Sequence, residues 1–139
     1  MKANELTSKD LMIGDWVLQC ELNIPVKVQS IICHYGESIY FYHETREYIS
    51  NVSKLEPIPL TPEILEENGI LYEKASFYYI IKDDKDLECT YYIQQMLQGC
   101  WAIGVDIGAY DCSVFARIKY VHELQHALKL CGIDKEIKV

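Results

Sequence analysis

The stretch Arg117-Ile-Lys-Tyr-Val-His-Glu-Leu-Gln-His-Ala-Leu-Lys-Leu-Cys-Gly132 decides the fold, because it carries the clearest helical periodicity in the chain. On a wheel advancing about 100° per residue, Tyr120, Val121, Leu124, Ala127, Leu128 and Cys131 share one stripe. His122, Glu123, Gln125, His126 and Lys129 fall on the other side. Such a helix offers one face to a core and the other, with both histidines, to solvent. Gly132 follows the last apolar position, where a residue without a Cβ most easily takes the left-handed conformation that closes a helix. Lys129 sits in the last turn, where the dipole favours a cation. Burying three or four of the stripe side chains contributes about 1.5 to 3 kcal/mol each. A helix over residues 119–131 is therefore expected to cover a sheet.

Within it, His122-Glu123-Leu124-Gln125-His126 matches the H-E-x-x-H string of zinc metallopeptidases. Imidazoles four residues apart on a helix can share a Zn²⁺, and the intervening glutamate can take a proton from the bound water. A catalytic zinc needs a third protein ligand. The longer metzincin pattern would place glycine and histidine where this chain has Lys129 and Gly132. Asp134 and Glu136 downstream, and His34 and His43 upstream, are the remaining candidates, and no spacing demands any of them. Two histidines on a solvated face are the simpler expectation. Zinc-dependent hydrolysis, with His122 and His126 as ligands and Glu123 as base, stands as an alternative.

Upstream of the helix, composition sets the class. The chain has 139 residues, half of them hydrophobic and 24% charged, as expected of a folded protein with one domain or two small ones. Its 11 tyrosines, many alternating or doubled, favour strands over most of the length. A net charge of -8 without any basic run argues against a general nucleic-acid binder, whose phosphate affinity comes from clustered Lys and Arg. A nucleic-acid-binding module is the third function class, after interaction and hydrolysis.

Cysteines 20, 33, 89, 100, 112 and 131 show no C-x-x-C spacing, and residues 1–10 lack the apolar core of a signal peptide. The expectation is a cytoplasmic chain with reduced, mostly buried thiols. No apolar run approaches the roughly 20 residues of a membrane span. No cofactor is expected either. Gly99, Gly104 and Gly108 fit no phosphate-loop spacing, and the acidic run Asp83-Asp-Lys-Asp86 lacks the rest of a calcium loop.

The segments ahead of the helix read as two β-rich modules. Short strands from Trp16, over 25–33, over 38–43 and over 47–50, separated by turns, suggest an SH3-like β-barrel-type module over residues 1–56, since closure removes exposed edges. Pro57-Ile-Pro59 stiffens the chain. Thr61 as N-cap, Pro62 in the first turn and Gly69 at the end then give a short helix, so that residues 57–69 read as a connector. Strands at 76–82, 87–93, 100–107 and 112–118 form an antiparallel meander over residues 70–139, covered by the C-terminal amphipathic helix. Ile137 and Val139 are expected to add a last edge strand. The fold class is α+β.

Three stretches carry a resemblance: Leu11-Met-Ile-Gly-Asp-Trp-Val17, Leu55-Glu-Pro-Ile-Pro-Leu-Thr-Pro-Glu-Ile-Leu-Glu-Glu-Asn-Gly69 and Lys119-Tyr-Val-His-Glu-Leu-Gln125. Together they resemble a family of small proteins encoded in prophages and other mobile elements of gut bacteria of the Bacteroides type, along the whole chain. In that family the last stretch looks like Tyr-Val-His-x-Leu-Gln, and the positions matching Glu123 and His126 are often other residues. The resemblance implies a small cytoplasmic accessory protein and carries over no activity, cofactor or catalytic residue. The first function expected is thus a non-enzymatic module that binds a protein partner. Its contact candidates are Trp16, Tyr40, Tyr42, Tyr48, Trp101 and Tyr110, of which strand alternation sends about half to the core.

Overall fold

The computed structural model describes residues 6, 10–34, 37–41, 49–51, 54–74, 77–81, 90–106 and 112–139. They form an α+β protein of antiparallel sheets with one main helix. The chain parts into two compact units, one of Met1–Ile58 with Val139 and the other of Pro59–Lys138.

The first unit holds β1 (Trp16–Gln19), β2 (Ile24–Lys27), β3 (Ser30–His34), β4 (Glu37–Phe41), β5 (Ile49–Asn51) and β6 (Leu55–Pro57). They make two three-stranded sheets, in the orders β2-β1-β6 and β3-β4-β5. Leu6, Leu11, Val17, Val26, Val28 and Leu55 form its core, and Ile31 of β3 packs against them, so one apolar cluster serves both sheets. The single strand expected over 25–33 is in fact two, divided at Val28-Gln29. The backbone of Val28 is already engaged: its N–H donates to the Asp15 carbonyl at 2.9 Å and its carbonyl accepts from Gly14 at 2.7 Å. The buried Asp15 fixes that turn by accepting the Met12 N–H on Oδ2 at 2.7 Å.

The second unit contains α1 (Pro62–Glu67), β7 (Leu71–Glu73), β8 (Tyr78–Ile81), β9 (Thr90–Gln95), β10 (Trp101–Asp106), β11 (Cys112–Ile118) and α2 (Val121–Leu130). Its sheet is a five-stranded meander, β11-β10-β9-β8-β7, one strand longer than expected because Leu71–Glu73 joins as an edge. The register puts Tyr79 beside Ile93 and Ile93 beside Ile103, a buried row across three strands. α2 contributes Val121, Leu124, Ala127 and Leu128 to the core, as its stripe predicts. The short helix α1, expected as a connector between modules, is part of this unit and buries Leu65 completely.

Both helices end in the same way. Gly69 and Gly132 take φ of +75° and +72°, a region that costs a residue with a Cβ about 1 to 2 kcal/mol. In each case the glycine N–H donates three residues back, to Glu66 or Lys129, and the next N–H donates five back, Ile70 to Leu65 and Ile133 to Leu128, at 2.9 Å. The apolar pairs Leu65/Ile70 and Leu128/Ile133 that accompany this closure are buried.

The edge strand expected from Ile137 and Val139 does not form: residues 133–139 are irregular. Asn68 takes a strand partner's place, its Nδ2 donating to the Lys138 carbonyl and its Oδ1 accepting the Lys138 N–H, both at 2.8 Å. Ile137 is buried even so. Among the described residues no helix is long and apolar enough to cross a membrane.

Candidate functional site

The H-E-x-x-H string opens α2, and its glutamate works on the helix itself. Tyr120 is the N-cap and Glu123 the third helical residue. Glu123 Oε1 accepts the N–H of Lys119 at 3.0 Å and of Tyr120 at 3.1 Å, which is the glutamate half of a capping box. Replacing Glu123 with alanine should lower stability by about 0.5 to 2 kcal/mol. Glu123→Gln, which keeps an acceptor oxygen, should lose less, and urea denaturation of the two variants beside the parent tests this.

His122 corrects the solvated-face expectation: it is only 4% exposed. Its ring lies parallel to that of Tyr120, with centroids 6.0 Å apart and 7° between planes, and edge-on to His126 at 5.7 Å. A wheel treats a helix as covered from one side only. At the first turn the entering chain is itself covered, because Pro59 bridges to Tyr120 and the Leu60 N–H donates to the Lys119 carbonyl at 2.9 Å. His126 is half-buried, while Asp134 and Glu136 are exposed. Among the described residues no three His, Cys, Asp or Glu side chains gather to hold a metal. His43 and the acidic run 83–86 lie outside the described residues, as does the side chain of His34.

The expected contact aromatics divide. Trp101 is a core residue, 1% exposed, because its Nε1–H donates to the Leu60 carbonyl at 3.1 Å and its ring meets Tyr79 edge-on at 5.8 Å. Trp16 is half-buried at the start of β1. Tyr40 lies in β4 with its side chain outside the described residues, and Tyr42, Tyr48 and Tyr110 lie outside them altogether.

A different set of aromatics forms a site that the sequence did not single out. Tyr72, Phe77, Tyr79, Gln94 and Gln95 line a groove of about 390 Å³ on the second unit. The β7–β8 register sets Tyr72 directly opposite Tyr79, with ring centroids 5.1 Å apart and tilted by 56°. Tyr79 leans in turn on the buried Trp101, so this wall is anchored in the core. Phe77 closes the turn into β8, its N–H donating to the Glu73 carbonyl at 3.0 Å with φ at +59°. A bulky residue in that region is strained, yet the ring is 70% exposed. Leu71 on β7 is exposed as well, as are Met96 and Leu97 directly after β9, Leu97 at 89%.

Burial pushes the Tyr79 hydroxyl above its usual pKa, and the negative charge of Glu66, then of Tyr72 and Glu63, pushes it further. The acidic side of α1 therefore acts on the groove wall. Periodicity could not find this site, because alternation assigns faces within a strand but gives no sign that Phe77 leaves the strand through a left-handed turn without glycine or asparagine. No protein-family model, curated protein or solved structure matches this chain.

Proposed function

We propose that the chain is a non-enzymatic protein-interaction module, a small cytoplasmic accessory protein of the phage or mobile-element kind that its sequence resembles, and that its second unit receives a protein partner at the β7–β8–β9 groove. The observation that carries this is Phe77. A left-handed backbone is maintained at a phenylalanine whose ring gains almost no burial in return. Strain of that kind collects where a side chain is held for contact with something else. Leu71, Tyr72, Met96 and Leu97 supply further exposed apolar surface on the same unit, of the aromatic and Met-containing composition that interfaces favour.

For the first unit we propose an SH3-like barrel. In support, its first strand pairs with its last, its middle strands form a meander, and β2 and β3 are separated by only two residues, so that one bent segment serves both sheets. Zinc-dependent hydrolysis has less behind it, since Glu123 is committed to the helix cap and His122 is buried. Nucleic-acid binding has the charge of -8 against it.

Phe77→Gly tests the interaction reading, because it removes ring and backbone strain together. The variant should be at least as stable as the parent in urea, yet retain no partner in affinity capture from the native host's lysate. Retention of the same partners by both proteins would remove the groove from the interaction.

A further inference from the structure

We propose that the groove takes the cationic side chain of a lysine or arginine carried by an extended, basic peptide segment of the partner. This rests on the interaction reading and gives it a ligand chemistry. Tyr72, Phe77 and Tyr79 provide three aromatic rings around one opening, and a cation over an aromatic face is drawn to the ring quadrupole. Gln95, on the same face of β9 as Ile93, adds an amide carbonyl that can accept from an ammonium or guanidinium group. A neutral apolar side chain would make no use of that acceptor.

Charge points the same way. Glu63 and Glu66 on α1 place negative potential on the Tyr79 hydroxyl at the groove wall. Both are exposed, and among the described residues neither forms an ion pair. α1, which carries both, packs against β7 at the edge of the groove, and negative potential from that side suits a cation and disfavours an acidic ligand. The whole chain, at -8, steers basic partners towards itself. An extended segment fits because β7 is the outermost strand of its sheet, pairing with β8 on one side, and no other described strand pairs with it. A peptide lying along such an edge presents alternate side chains to the face beside it.

The test uses four blocked pentapeptides, Thr-Val-X-Val-Thr, with arginine, lysine, norleucine or glutamate at X, titrated to millimolar concentration into the full chain. Binding is read from the backbone amide NMR signals of Gln94 and Gln95. The arginine and lysine peptides should shift both signals, and the glutamate peptide neither. Glu63→Gln combined with Glu66→Gln should weaken arginine-peptide binding by roughly three- to tenfold and leave any norleucine-peptide binding unchanged. Phe77→Gly should weaken the arginine peptide by about tenfold or more. Norleucine binding as tightly as arginine, or no effect of the double glutamine variant, would overturn the cation assignment and leave the interaction reading standing. No shift with any of the four peptides would also overturn it, with the capture experiment still deciding whether the groove binds a partner.

Discussion

Trp101→Ala is expected to be the most damaging single truncation in the second unit, costing about 3 to 5 kcal/mol. Three losses coincide at this position. The indole is 1% exposed in the core, so its removal leaves a cavity that the surrounding sheet can fill only in part. The Leu60 carbonyl loses its buried donor at 3.1 Å, and an acceptor stranded in that way costs about 1 to 3 kcal/mol on its own. Tyr79 loses the ring that its edge rests on, so the groove wall should loosen as well. Trp101→Phe separates these contributions by restoring most of the volume without the donor, and it should recover at least half of the loss. Urea denaturation followed by far-UV circular dichroism measures both. A cost for the alanine variant below about 1 kcal/mol would mean that Trp101 is not the centre of this core.

Leu124→Ala comes second, with an expected cost of about 2 to 5 kcal/mol, and Leu128→Ala should fall in the same range. Both side chains are buried on the face of α2 turned to the core. Lys129, exposed in the last turn, is the internal comparison: Lys129→Ala should change stability by no more than about 0.5 kcal/mol. The three measurements together fix the rotation of the helix about its axis. Similar losses at Leu124 and Lys129 would show that the stripe does not face the core.

The α2 stripe and the glycine ends of both helices were legible in the sequence because they depend on local rules: a 3.6-residue period and a backbone that must turn left-handed. The β8 to β11 meander was legible for the same reason, since tyrosine and β-branched alternation marks each strand. What escaped depends on neighbours remote in sequence. His122 is buried at the first turn, where the chain entering α2 bridges to Pro59, a contact about sixty residues away along the chain that no wheel represents. The division of residues 24–34 into two strands follows from Asp15 and Gly14 binding the backbone of Val28. Asn68 in place of a strand partner for the C-terminal tail is a tertiary hydrogen-bond pair with no sequence signature.

The proposed contact surface shows the same limit. Composition announced an aromatic-rich protein and pointed to contact residues, yet Trp101, the most conspicuous of those in the second unit, is consumed by the core. Tyr72 and Phe77, unremarkable within tyrosine-rich strands, become the exposed rings only through the β7–β8 register and one left-handed turn. The H-E-x-x-H string had the opposite fate. Its spacing suggested catalysis, whereas Glu123 acts in the helix cap.

Hydrogen exchange of the chain with and without a captured partner tests the central claim most directly. Protection on binding should concentrate in residues 71–79 and 94–97, around the groove, and should vanish in the Phe77→Gly protein. Protection confined to residues 121–130, or to the first unit, would contradict the assignment of the groove as the partner's site.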